Sequence, residues 1–288
     1  MNVRPNGARR IHTVSAMVGL ASAALLVSQV ALVAPAGAVP GLVRVVATGP
    51  SNSAWKTTNA NCPTGTTVLG GGGFVTGAAG QVVMDTMLPL VDGSAYSVTG
   101  REDDTGVAGN WSITTTALCA TAPAGLQTVT AFSASDSANK SVTLPCPVGK
   151  KVLGVGGELS GGLGQVVVDD LRPNADLGSV TVTGVEDGNG QAANWSITAK
   201  AICATPPAGL ERVNGLGILD STSVKSTVAT CPAGKRVHGL GAEIDGGAGR
   251  VRMTGVWASS STTVTASGAE DENGFAGNWG VRPYAICA

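Results

Sequence analysis

Aromatic side chains are scarce in this chain, at 3 % of 288 residues, and charged ones reach only 13 %. A core assembled without large rings relies on small side chains, each of which buries little area. No run beyond the first 38 residues carries apolar residues at helical spacing, which excludes a P-loop or dinucleotide fold, since both need a helix after the glycine turn. No basic stripe is present, which excludes a strong nucleic-acid footprint. Only two histidines occur, His12 and His238. Cysteines number six, and none of them forms the close C-x-x-C pairing of a zinc site.

Residues 1–38 read as a signal peptide. Arg4, Arg9 and Arg10 supply the positive start, Val14 to Val33 is apolar and uncharged, and Ala36–Gly37–Ala38 is a small-x-small cleavage site. A membrane anchor is the competing reading of the apolar run. Arg9–Arg10 also suggests a twin-arginine signal, although Ile11–His12–Thr13 fits that signal poorly. Losing three of the 18 basic residues with this segment leaves 15 against 19 acidic ones, a balance of −4. The first cysteine is Cys62, so no lipid-bearing cysteine follows the cleavage site. The expected mature protein is secreted and extracellular, with no membrane span after cleavage.

What the chain does have is repetition. Cys62–Pro63 to Cys119–Ala120, Cys146–Pro147 to Cys203–Ala204, and Cys231–Pro232 to Cys287–Ala288 recur with a period of 84 or 85 residues. The modules are 39–122, 123–207 and 208–288. Modules this small, with small side chains, need a staple. If the copies fold alike, Cys62 pairs with Cys119, Cys146 with Cys203 and Cys231 with Cys287, each bridge worth roughly 4 kcal/mol by loop closure.

The expected fold class is all-β, with about six strands per module. Ser179–Thr183 alternates small polar with apolar residues, the period of a half-buried strand. In the closing strand, Trp195, Ile197, Ala199, Ala201 and Cys203 fall on one face, and the same register places Trp111 with Cys119 and Trp279 with Cys287. Pro283 predicts an edge position or a bulge there. The glycine runs at 70–73, 154–157 and 239–241 read as strand bends or close backbone approaches. Two architectures fit: three tandem β-sandwich-like modules, or a single pseudo-threefold β-prism whose faces are the three units. The first is preferred, because each unit has its own bridge and a near-complete strand set.

The pattern C-P-x-G-K-x-V-x-G-x-G, G-Q-V-V-x-D-D-L-R-P, E-D-x-x-G-x-x-x-N-W and A-I-C-A resembles a group of exported actinobacterial repeat proteins of uncharacterised function. Cys146–Pro147, Asp169–Asp170–Leu171–Arg172–Pro173 and Glu186–Asp187 carry the resemblance best, and the third unit departs from it at Met253–Thr254–Gly255. The resemblance implies secretion and repetition and brings no activity with it.

Candidate sites follow from what recurs and what does not. Glu102–Asp103, Glu186–Asp187 and Glu270–Asp271 appear in every unit, each with a glycine three residues on. Turn chemistry is the first reading, calcium ligation the second and a glycosidase-like acid/base pair the third. Lys56, Lys140 and Lys225, at equal offsets, are expected partners for those carboxylates. Asp85 and Asp169 correspond, whereas the third unit has Thr254. His238 stands where the other copies have Leu69 and Leu153 and reads as a surface or satisfied histidine. Trp55 and Trp257 lack counterparts and are candidate ligand contacts. Asn110–Trp–Ser112 and Asn194–Trp–Ser196 match a glycosylation sequon that Asn278–Trp–Gly280 does not keep.

No complete catalytic set emerges, and no cofactor is expected beyond calcium at the Glu–Asp pairs. The expected function is that of an exported, non-catalytic repeat protein with a structural or surface-binding role toward polysaccharide or cell-envelope components. A secreted hydrolase using the Glu/Asp pairs and a secreted protease inhibitor are the alternatives.

Overall fold

The computed structural model describes residues 1–2, 39–78 and 80–288, so the signal peptide expected over 1–38 lies, apart from Met1 and Asn2, outside the described residues. The first repeat forms β1 (Val43–Thr48), β2 (Lys56–Asn61), β3 (Thr67–Thr76), β4 (Val82–Pro89), β5 (Ala95–Glu102) and β6 (Ser112–Ala120). The second forms β7 (Gln127–Phe132), β8 (Lys140–Pro145), β9 (Lys151–Ser160), β10 (Val166–Pro173), β11 (Ser179–Glu186) and β12 (Ser196–Ala204). The third forms β13 (Glu211–Asn214), β14 (Val224–Thr230), β15 (Val237–Asp245), β16 (Val251–Ala258), β17 (Thr263–Glu270) and β18 (Gly280–Cys287). Among the described residues no helix is long and apolar enough to cross a membrane.

Local pattern explains the strands. Along β11, Val180 and Val182 are fully buried while the intervening serine and threonines are half-exposed. In β12 the predicted face of Ile197, Ala199, Ala201 and Cys203 is buried throughout, and Trp195 joins it. The protein is thus an all-β assembly of three six-stranded modules, each with one bridge. Cys62–Cys119, Cys146–Cys203 and Cys231–Cys287 span Cα–Cα distances of 5.6, 5.8 and 5.7 Å, within the usual range. Each bridge ties the end of a β2-type strand to a β6-type strand of the other layer, closing a two-layered wedge.

The wedges do not stand apart. Three antiparallel six-stranded sheets run β1-β6-β3-β16-β17-β14, β2-β5-β4-β9-β12-β7 and β13-β18-β15-β10-β11-β8. Every sheet takes three strands from one module and three from another. The joints are β4 to β9, β10 to β15 and β16 to β3, each of only two residue pairs. The result combines both architectures considered from the sequence. Each module is a sandwich-like wedge, and the wedges close around a pseudo-threefold axis, but a face of the ring belongs to two modules rather than one.

Three glycines set the distance at that axis. A Cβ on Gly70 would lie 2.8 Å from Gly239 Cα, one on Gly154 would overlap the Leu69 carbonyl oxygen, and one on Gly239 would overlap that of Leu153. β3, β9 and β15 therefore meet backbone to backbone, the close approach expected of these glycine runs. Just before each glycine the strand is bulged, at Leu69, Leu153 and His238.

Pro283 departs from expectation. β18 is neither an edge strand nor bulged there, since it pairs with β15 on one side and β13 on the other. The missing N–H instead shortens its neighbour. β13 stops at Asn214 after four residues, whereas β1 and β7 run for six, and Gly215 donates to the Pro283 carbonyl at 2.9 Å.

The axial contact can be tested by volume. Gly154→Ala places a methyl group on backbone, and the expected loss is about 3 kcal/mol or more. Gly149→Ala, at φ +80° with no atom within 4 Å of the new methyl, is expected to lose about 1–2 kcal/mol. Urea unfolding of the two variants measures the difference, and equal losses would remove the axial constraint.

Candidate functional site

The repeated residues build one unit three times. Trp111, Trp195 and Trp279 are almost completely buried. Their indole N–H groups donate to Glu102, Glu186 and Glu270 at 2.7, 3.0 and 3.0 Å. The other oxygen of each glutamate accepts a backbone N–H, from Val107, Gln191 and Phe275. Lys56, Lys140 and Lys225 lie over the ring faces at 3.1, 3.7 and 4.5 Å from the centroids. This corrects the expected lysine–carboxylate pairing: the lysine takes the ring face and the glutamate the ring edge, with the indole between them. Lys140 and Lys225 form ion pairs with Asp136 and Asp220 instead. Burial pushes the Lys56 ammonium below the usual lysine range, opposed by the charge of Glu102.

The aspartates have a second task. One oxygen of Asp103 accepts N–H groups from Thr105 and Gly106, one of Asp187 accepts those of Asn189 and Gly190, and one of Asp271 accepts that of Asn273. These turns reach across the module joints. The loop glycines Gly80, Gly164 and Gly249 pack onto Asp271, Asp103 and Asp187 of the neighbouring module. Arg252 joins them at this end of the axis. It is 2 % exposed, is paired with Asp103, lies 3.6 Å from Asp187 Oδ2, and donates to the Gly80 carbonyl at 2.6 Å. Burial pushes the Asp187 and Asp271 carboxyls upward, and Arg252 opposes the shift. Among the described residues no group of three or more His, Cys, Asp or Glu side chains is placed to hold a metal ion. Sequence reasoning missed Arg252. Its signal was a charge in a strand where the sister copies carry Val83 and Val167, both buried.

The three outer faces share a backbone and differ in chemistry. At each joint the strand is bulged, with Asp85, Asp169 or Thr254 as the extra residue. Beside Asp85, Arg101 forms an ion pair at 3.1 Å, and Glu158 and Lys200 come from the next module. Trp55, 63 % exposed, stands at the margin of this groove with the Arg101 guanidinium 5.4 Å from its ring. The groove measures about 530 Å³. A second hollow of about 410 Å³, lined by Phe132 and Thr130, shares Val91, Glu158 and Lys200 with it. Burial raises the Asp85 carboxyl, and hydrogen bonding and charge from Arg101 oppose that.

The second face is acidic. Burial, then the charges of Asp170, Glu243 and Asp245, push the Asp169 carboxyl up to about 7. Arg282 pairs with Glu243 and Asp245, and Arg172 lies 3.6 Å from Glu243. Burial also pushes the Tyr284 hydroxyl up to about 12. The third face is aromatic: Trp257 and Phe74 pack with centroids 4.7 Å apart, and Thr254 donates to Ser267 at 2.9 Å. The two unrepeated tryptophans thus lie on different sheets, one exposed and one packed. His238 is fully buried and holds two hydrogen bonds, at 3.0 Å to the Val39 N–H and 2.9 Å to the Arg236 carbonyl.

Two charge sites yield pH tests. The folded pKa of Asp169 lies above its unfolded value near 3.9, so the folded state binds the proton more tightly. The resulting stabilisation is complete below about pH 4 and is lost as pH rises through about 7. Asp169→Asn is expected to exceed the parent in stability at pH 8 by on the order of a few kcal/mol, with the gap closing toward pH 4. A gap independent of pH would assign the titration elsewhere. Arg252→Val restores the residue of the sister copies but leaves buried carboxylates unpaired. It is expected to cost about 3–5 kcal/mol at pH 7 and to recover on acidification as Asp187 and Asp271 take up protons. Denaturation at pH 7 and pH 4.5 would show this.

No protein-family model matches the chain, and no curated protein sequence matches it.

Proposed function

We propose that the protein is exported and acts by surface contact, holding a polysaccharide strand of the cell envelope along the groove between β4 and β9. The observation that carries this reading is Trp55, the one exposed tryptophan among the described residues, set beside Asp85, Arg101, Glu158 and Lys200. An indole face offers an apolar platform to a sugar ring, and the flanking charged and hydroxyl groups match its hydroxyls. The hollow past Phe132 extends the contact for a linear ligand.

The scaffold supports binding over hydrolysis by the Glu–Asp pairs. Both oxygens of Glu102, Glu186 and Glu270 are taken by an indole and a backbone amide, and the aspartates hold turns and module joints. A repetitive, disulfide-stapled all-β body of this kind is consistent with a structural, non-catalytic protein.

Retention on a glycan array and on purified envelope fractions is the expected outcome. Trp55→Ala should weaken binding at least tenfold, by about 1.4 kcal/mol or more, while Trp257→Phe, on another sheet, should leave it unchanged. Failure of the parent protein to be retained on any glycan or envelope fraction would remove the binding reading and leave a structural role.

A further inference from the structure

Val39 is the first residue after the expected cleavage site at Ala36–Gly37–Ala38. It is buried, at 5 % exposure, and its backbone nitrogen donates to His238 Nε2 at 3.0 Å. The contact crosses the ring, from the start of the first module to β15 of the third. The second ring nitrogen, Nδ1, lies 2.9 Å from the Arg236 carbonyl, which accepts but has no proton to give. Nδ1 therefore carries the hydrogen, and Nε2 is left with its lone pair aimed at Val39.

Comparison of the three copies shows why the pair occurs once. Val39–Pro40–Gly41–Leu42 corresponds to Pro123–Ala124–Gly125–Leu126 and to Pro207–Ala208–Gly209–Leu210, each leading into the first strand of its module. In the second and third modules, where the chain arrives from the module before, this position is proline and has no N–H. Leu69 and Leu153 then occupy the sites equivalent to His238 and need no acceptor. Among the three copies only the first presents an N–H at this position, and only the site that meets it carries a histidine. A buried donor left without a partner costs about 1–3 kcal/mol, so donor and acceptor are introduced together.

We propose that His238 is the docking site for the amino terminus created by processing between Ala38 and Val39. A signal peptidase adds water across the Ala38 carbonyl–Val39 nitrogen bond, leaving a carboxylate on Ala38 and an ammonium on Val39. His238 Nε2 accepts one of the ammonium hydrogens. Val39 and Pro40 also line an open hollow of about 410 Å³ with the inter-module segments around Pro123 and Pro207, through which water can solvate the remaining ammonium hydrogens. The inference rests on the export reading and is independent of any glycan ligand.

Intact mass and amino-terminal sequencing of the secreted protein come first. A chain beginning at Val39 is expected; a processed chain with another start overturns the docking proposal, whereas an unprocessed chain overturns the export-and-cleavage reading itself. Acylation of the α-amine is then followed by peptide mass spectrometry in native and denatured protein. Native protein is expected to react at least tenfold more slowly than denatured, and His238→Leu to lose most of that protection. A chain beginning at Val39 with an α-amine equally reactive in both states overturns docking alone. Because His238→Leu also alters packing, a cycle separates the effects: chains beginning at Val39 and at Gly37 are compared in both backgrounds. The Val39 start is expected to raise Tm only with His238 present. An equal rise with leucine would make the histidine a packing residue and overturn the proposal.

Discussion

The backbone contact of β3, β9 and β15 at Gly70, Gly154 and Gly239 is the constraint on which the ring depends. With no Cβ between them the three strands lie closer than any side-chain layer permits, and each brings one module to the axis. Bulges beside these glycines turn Leu69, Leu153 and His238 out of the pairing register. The small side chains that dominate the sequence follow from the same geometry, because three thin wedges leave little depth to fill. The bridges then carry part of the stability that a deeper apolar core would supply.

Charge is used sparingly, and among the described residues eight of the charged side chains are buried: Lys56, Asp85, Asp103, Lys140, Asp187, Glu243, Arg252 and Asp271. Each repeated tryptophan is held at its edge by a glutamate and on its face by a lysine, so the conspicuous charged motif of every copy is spent on fixing a ring. The adjacent aspartates close turns and meet Arg252 where the modules join. Chemistry that varies is left to the outer joints, where Asp85, Asp169 and Thr254 stand on the same bulge with different neighbours.

Much of this was legible beforehand and some was not, for definable reasons. Alternation along 195–203 assigned the buried face, and repetition assigned the bridges, because both are local or periodic signals. Sharing of sheets left no such trace. Each joint rests on two residue pairs, such as Thr86–Glu158 and Met87–Gly157, and two pairs have no period to read. The recurrence of Lys56, Lys140 and Lys225 showed that they matter to the fold, but spacing alone does not tell a ring face from a carboxylate. Arg252 carries no periodic signal, since a charged residue in a strand reads as solvent-facing until its sister positions, Val83 and Val167, are seen to be buried. Pro283 reads as the sign of an edge position or a bulge, whereas its effect falls on the adjacent strand, β13.

The joints run head to tail: a β4-type strand of one module always meets a β3-type strand of the next, and the third meets the first. This is the geometry of a cyclic homotrimer carried on one chain. In a true trimer any substitution appears three times, so a groove cannot change without changing its two copies, and an arginine on the axis would meet two others. Covalent fusion lifts that rule. A single gene of this form can keep its symmetric frame while one face turns ionic, one acidic and one aromatic, and it can place a single arginine against the central carboxylates without repelling its own image.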